Sequence, residues 1–185
     1  MKPILFTFFM LFCLINSSAQ NDSVVQNILG NNELKLNIFN IVTFKSLDAS
    51  YEYILDSESS IGASVLINLR SKESHDDIYY REKFALTPYY RRYFSKSKYG
   101  YGFFVEAFAM YNVQGDYNSF FEEDNFSDET SKNAALGFAV GGKFLTRKGI
   151  VFDLFGGLGR NFITSNNDVA KSFVPRVGVS LGYRF

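Results

Sequence analysis

Cysteine, histidine and tryptophan are nearly absent from this chain of 185 residues, which has one cysteine, one histidine and no tryptophan. The cysteine, Cys13, lies in an apolar N-terminal segment, so the remainder can hold neither a disulfide nor a thiolate metal site. A charge excess is missing too, because Lys plus Arg and Asp plus Glu number 19 each. This balance argues against a nucleic-acid-binding protein, which usually carries a basic excess.

Long apolar runs are confined to the N-terminus. Residues 4–15 are almost entirely apolar, follow Lys2 and precede small polar residues. This is the arrangement of a secretory signal peptide, and the run is too short to cross a bilayer as a helix. We therefore predict a cleaved signal peptide over 1–20, a lead-in over 21–32 and one domain over 33–185, with a retained N-terminal anchor as the alternative. Beyond the signal, no run of about 18 apolar residues predicts a transmembrane helix.

In the rest of the chain, apolar and more polar residues alternate with a period of two. In SLDASYEYIL (46–55), for example, Leu47, Ala49, Tyr51 and Tyr53 share one face and more polar residues share the other. Alternation of this kind is typical of β-strands with two different faces. It predicts eight strands, over 34–38, 46–55, 61–70, 83–94, 100–113, 135–143, 150–159 and 173–185. Several are longer than ordinary globular strands and suit tilted strands that cross a bilayer.

The more polar face carries charged residues among Gly, Ala and Ser, which suits a narrow barrel lumen. We predict a lumen charge network of Asp48, Glu52, Arg70, Arg91, Glu106, Lys143, Asp153, Arg176 and Arg184, with Lys35 as a further partner. Eight strands enclose a space just wide enough for side chains, so we expect a packed interior and no open pore. The other face is nearly free of charge. This favours a membrane barrel, because an Arg facing lipid at mid-bilayer costs about 2–4 kcal/mol.

The connections between predicted strands alternate in length. Those at 56–59, 95–99 and 146–149 are short, whereas three of the other four, at 43–46, 71–81, 114–133 and 163–171, are long. Membrane barrels have short periplasmic turns, longer outer loops and aromatic girdles. Tyrosines near the predicted strand ends, such as Tyr89, Tyr90 and Tyr183, fit such girdles. A soluble ligand-binding barrel with the opposite arrangement of faces remains the alternative.

The signal ending SSAQ, the amphipathic strands and the closing VSLGYRF (179–185) resemble the small outer-membrane β-barrels of Gram-negative bacteria, of the OmpX or OmpA-barrel type. The resemblance implies an eight-stranded antiparallel up-and-down transmembrane β-barrel in the outer membrane, monomeric and surrounded by lipid. It also implies that the barrel-assembly machinery reads Val179, Leu181, Tyr183 and Phe185 as a signal. Pro88 departs from the pattern, because proline cannot donate to a ladder, so we expect a bulge or a local break near TPYYRR.

Motifs that carry chemistry are weak in this chain. His75 adjoins two aspartates in KESHDDI, but adjacency in sequence is not a catalytic triad. FFEEDNFSDE (120–129) lacks the glycine and spacing of an EF-hand, and GGLGRN (156–161) lacks a dinucleotide fingerprint. We therefore predict no catalytic, cofactor or metal site, and no nucleic-acid partner. Loops 71–81 and 114–132 are candidate binding sites for an extracellular ligand.

The function predicted from these features is that of a non-enzymatic outer-membrane barrel with a structural or surface-interaction role. Two alternatives stay open. One is a narrow conduit for small solutes, and the other is a lipid-modifying enzyme that uses His75.

Overall fold

Eight antiparallel strands close into one barrel in the computed structural model, which describes residues 30–69, 82–94, 100–115, 130–166 and 172–185. The strands are β1 (Asn32–Asn37), β2 (Ser46–Ile54), β3 (Ser59–Asn68), β4 (Glu82–Tyr93), β5 (Gly102–Gly115), β6 (Thr130–Leu145), β7 (Ile150–Thr164) and β8 (Phe173–Arg184), and one helix, α1 (Ile38–Phe44), lies between β1 and β2. Each strand pairs with the next, and β8 pairs with β1. The predicted all-β, eight-stranded up-and-down barrel is confirmed. The predicted signal peptide and most of the lead-in lie outside the described residues.

The two ends of the barrel differ. We call the end that carries Asn32 and Phe185, whose backbones bond to each other at 3.1 and 2.8 Å, the terminal end. The connections at 55–58 and 146–149 lie at this end. We call the opposite end, where α1 follows β1, the loop end. In the described part of the chain, no helix is long and apolar enough to cross a membrane.

The predicted period of two appears as an alternation of burial. Along β2, Asp48 and Glu52 are buried, whereas Leu47 and Tyr51 are exposed. Successive side chains of a strand point to opposite faces, so one face of the closed sheet must line the inside and the other the outside. Here the charged face lines the inside, and the apolar face forms the outer surface.

The two described short connections are stabilised locally. The Asp56 carboxylate accepts hydrogen bonds from the Ser59 hydroxyl at 2.6 Å and from the Glu58 backbone N–H at 2.7 Å. These bonds, led by that from Ser59, hold the pKa of Asp56 below its ordinary value. In the second connection the Gly149 N–H bonds to the Thr146 carbonyl at 3.0 Å, and Gly149 has a φ of 85°, which favours glycine. The predicted connection at 95–99 lies outside the described residues.

The first connection differs from the prediction. The sequence pattern placed Ile38 in a strand and left only residues 43–46 as the connection, but the structure has the helix α1 over Ile38–Phe44. Asn37 caps the helix, because its side-chain oxygen accepts from the Asn40 N–H at 3.4 Å. The helix ends at Lys45, which adopts the left-handed conformation and donates its backbone N–H to the Asn40 carbonyl. Ile38 continues the alternation of Leu34 and Leu36, which conceals the point at which the strand ends.

Pro88 interrupts a ladder without displacing a strand. β4 pairs with β3 throughout this region, including Ala63 with Pro88. On the opposite edge of β4, Thr87 and Pro88 are not paired with β5, and the pairing resumes at Tyr89 in the same register. The bulge in this ladder lies between Glu82 and Phe84 instead. Of the two expectations for Pro88, the local break is the one observed, because only the ladder that needs the proline N–H is affected.

Candidate functional site

The inside of the barrel is layered. From the terminal end it holds a network of buried charged side chains, then a layer of apolar side chains, and then a group of amide side chains near the loop end. The candidate functional site is the charged network, since buried charges are costly unless they are paired.

Glu52 on β2 is the centre of the network. Its carboxylate bonds to Lys35, to Lys143 at 2.5 Å and to Arg91 at 3.0 Å. It also accepts from three hydroxyl groups, those of Ser60 at 2.6 Å, Tyr93 at 2.6 Å and Tyr89 at 3.2 Å. The Glu52 side chain has no exposed surface. A single carboxylate therefore organises three cations that come from β1, β4 and β6.

Arg91 on β4 links Glu52 to the next carboxylates. Its Nε donates to Glu106 at 2.7 Å, and its Nη1 donates to Asp153 at 2.6 Å. The guanidinium carbon lies 4.2 Å from the centre of the Phe104 ring and 4.8 Å from that of Tyr89. These aromatic faces attract the cation and exclude water from its ion pairs.

Two further cations, Arg176 and Arg184, complete the charged network. Arg176 donates to Glu106 at 2.6 Å and to the Ser64 hydroxyl at 3.2 Å. Arg184 donates from Nε to Glu33 at 2.8 Å and also bonds to the Gly100 carbonyl at 3.0 Å. Lys143 reaches the same Glu33 at 2.7 Å. The network thus extends from the terminal end towards the middle of the barrel.

Asp48 is held by amides. Its Oδ2 accepts from Asn37 at 2.8 Å and from Asn40 of α1 at 2.7 Å. Asp48, Asp153, Arg176 and Ser180 help to line a cavity of about 10 Å³ inside the barrel. A polar cavity of this size has room for about one water molecule.

The charges of this half of the lumen balance among the described residues. Five carboxylates, Glu33, Asp48, Glu52, Glu106 and Asp153, face five cations, Lys35, Arg91, Lys143, Arg176 and Arg184. A neutral set of this kind can be desolvated together, whereas an excess of either sign would leave an uncompensated buried charge.

An apolar layer lies on the loop side of the charges. It consists of Leu66, Ala85, Tyr89, Phe108, Met110, Ala135, Ala139 and Val174. Beyond it, Asn112 bonds to Asn133 at 3.0 Å and to Asn161 at 3.2 Å, and Ser131 bonds to Asn133 at 2.7 Å. These side chains pack in the lumen on the loop side of the charged network.

The structure places eight of the nine predicted network residues inside the barrel; the ninth, Arg70, lies outside the described residues, as do His75 and most of loops 71–81 and 114–132. Sequence reasoning missed Glu33, although it shares the face of Lys35 two residues later. It also missed the hydroxyl partners Tyr89 and Tyr93, and the expectation that Tyr89 belongs to an outer girdle was wrong, because Tyr89 is buried in the lumen. On β8 and just beyond it, Leu181, Tyr183 and Phe185 are exposed on the outer surface, and Val179 is half-buried.

Comparisons with models of protein families, with curated proteins and with solved structures found no match for this chain. The class of protein is therefore defined by the fold and the lumen: a closed eight-stranded antiparallel barrel with a charged interior and an apolar exterior.

Proposed function

We propose that this protein is a non-enzymatic outer-membrane β-barrel with a filled, charged lumen and a structural or surface-interaction role. The observation that carries the proposal is the reversed distribution of polarity: eleven buried charged residues of the described chain are paired or hydrogen-bonded inside, and the outer surface is apolar. Soluble proteins rarely expose contiguous apolar patches of such extent, because water penalises them. Hydrocarbon does not impose this penalty, and a closed barrel pairs most of its backbone groups within the sheet.

The position of the outer charges supports a band that faces lipid. Outward-facing charged side chains of the strands lie near the two ends of the barrel: Arg92 near the terminal end, and Lys83, Lys132 and Arg160 near the loop end. Between them the outer surface of β5, β6 and β7 carries apolar residues, among them Phe103, Phe138, Val140, Leu154 and Leu158. A charge-free band between two charged rims is the pattern of transmembrane barrels.

The first test is the location of the protein. When the full chain is expressed in a Gram-negative bacterium, we expect it in the outer-membrane fraction, with a gel migration that shifts on heating. The physical reason is that a barrel surrounded by lipid or detergent keeps its closed hydrogen-bonded sheet until it is heated. Recovery in the soluble periplasmic fraction, together with a periplasmic marker protein, would contradict the proposal and favour a soluble barrel.

The second test addresses conduction. The apolar layer around Leu66, Phe108 and Met110 and the ion pairs below it occupy the lumen, so we expect no single-channel current in planar bilayers. The heat-dependent gel shift of the same sample serves as the control that folded barrels were inserted. Reproducible current steps would support the narrow conduit in place of a filled barrel.

A role without catalysis is supported by the accessibility of the charged groups. The carboxylates and cations of the lumen bond to one another and are almost fully buried, so they offer a substrate little surface. We propose lipid and the barrel-assembly machinery as partners, with Leu181, Tyr183 and Phe185 on the outer surface available to that machinery. Loops 71–81 and 114–132 are proposed to carry any extracellular ligand.

A further inference from the structure

The wall of the barrel is incomplete at one place. β1 has six residues, whereas a strand needs about 9–11 residues to cross a bilayer. Its pairing with β8 ends at Asn37 and Ser180, and its pairing with β2 ends at Leu36 and Ala49. Towards the loop end, residues 173–179 of β8 and 46–48 of β2 therefore have no partner from β1. The helix α1 packs against both of these strands at this gap.

The outer surface of α1 is apolar. Ile38, Phe39, Ile41 and Val42 are exposed, Val42 to 76%, and the helix has no charged residue. The polar side chain of Asn40 points the other way, where it is buried and bonded to Asp48 at 2.7 Å. An isolated seven-residue helix is marginal in water, so its stability must come from what it packs against. Its apolar surface continues the exposed apolar face of β1.

Two backbone groups on the open edge of β8 find a partner within the protein. The side chain of Asn37 accepts from the Val179 N–H and donates to the Val177 carbonyl, both at 3.2 Å. The N–H groups of Val179 and Phe185 both point towards β1, and so would that of residue 175, which is proline and has none. At the other side of the gap, the Ser46 hydroxyl bonds to the Phe44 carbonyl at 3.2 Å.

These side-chain hydrogen bonds, which take the place of backbone pairing with β1, are needed most where water is scarce. Water would readily satisfy an exposed strand edge, whereas within hydrocarbon each backbone group needs a partner from the protein. The Asn37 side chain supplies such partners at this edge, as a gap at membrane depth requires. The charge-free surface of α1 beside it indicates the same environment independently.

We propose that α1 replaces the loop-end part of β1 in the membrane-embedded wall and that its outer surface contacts lipid acyl chains. This inference rests on the proposed function, because it requires the barrel to lie in a membrane. The partner of this surface is hydrocarbon, and Asn40 and Asp48 hold the helix against the barrel so that its polar side stays inside.

The absence of tryptophan from the chain makes a direct test available. Single-tryptophan variants Val42→Trp on α1, Phe138→Trp in the outer band of β6 and Lys148→Trp in an exposed turn would be reconstituted in phosphatidylcholine nanodiscs. Brominated acyl chains quench a tryptophan in hydrocarbon, and iodide quenches one in water. We expect brominated lipid to quench Val42→Trp to within about twofold of Phe138→Trp, with iodide acting mainly on Lys148→Trp.

The other outcomes are distinct. If iodide quenches Val42→Trp while brominated lipid quenches Phe138→Trp, the inference about α1 is wrong and the membrane barrel stands. If neither quencher reaches Val42→Trp, protein covers the helix, either a second copy or a loop, and the inference is also wrong. If iodide quenches Phe138→Trp as well, the proposed function itself fails.

Discussion

Replacing Glu52 by alanine is expected to lower the free energy of unfolding by about 3–5 kcal/mol, the usual cost of removing one partner from a buried ion pair. Glu52 faces three cations, Lys35, Arg91 and Lys143, and none of the four side chains is more than 2% exposed. Without the carboxylate, the balance of five charges of each sign becomes five cations against four carboxylates. The hydroxyls of Ser60 and Tyr93 also lose their acceptor.

Denaturant titration of the folded barrel in detergent would measure this loss. Glu58→Ala is the matched control, because Glu58 pairs with Arg92 on the outside, where both side chains are about half exposed. Surface pairs of this kind contribute about 0–1 kcal/mol. If Glu52→Ala and Glu58→Ala destabilise the barrel equally, the buried network does not hold the fold together. Glu52→Gln, which keeps the size of the side chain, separates the loss of charge from the loss of volume.

Replacing Gly157 by alanine is expected to destabilise the barrel by about 1–3 kcal/mol, the typical cost of overpacking a filled interior. A Cβ at this position would lie 2.3 Å from the Phe138 carbonyl oxygen and 2.4 Å from the Ala139 Cβ. Both atoms belong to the neighbouring strand β6, which cannot yield without disturbing its ladder. The adjacent residue provides the control, because a Cβ on Gly156 would meet nothing within 4 Å.

The same unfolding measurement distinguishes the two glycines. Gly156→Ala is expected to be neutral or to stabilise the barrel by about 0.4–1 kcal/mol, because alanine restricts the unfolded chain more than glycine does. A loss of stability in Gly156→Ala as large as that in Gly157→Ala would mean that backbone freedom, and not space, explains the glycines of β7. Equal and small effects would mean that β6 and β7 separate more easily than their packing indicates.

Some of the lumen could be predicted from sequence and some could not. Asp48 and Glu52 are identified by their shared face on one strand, since the period of two is a local property of the chain. The partners of Glu52 are not identified in this way. Lys143 lies 91 residues further along the chain and meets Glu52 only because the barrel closes in one register. Glu33 also belongs to the network, but a strand of six residues offers too short a pattern for its role to be evident.

The helix α1 is a second feature that the sequence did not predict. Its residues are more apolar than those of β1, but a run of seven residues is too short for hydrophobic spacing to distinguish a helix from a strand. What ends the strand is a set of contacts from elsewhere in the chain: Asn37 bonds to Val179 of β8, and Asn40 bonds to Asp48 of β2. None of these partners is adjacent in sequence, and only two of the bonds are local to the helix cap.

The sequence by itself determined that the chain forms eight two-faced strands with charges on one face, because alternation and turn residues act over a few neighbours. The tertiary structure decided which face lies inside, which charges pair and where β1 gives way to a helix. Those outcomes depend on closing the sheet, since closure fixes the register and brings together side chains that are up to 151 residues apart, as Glu33 and Arg184 are.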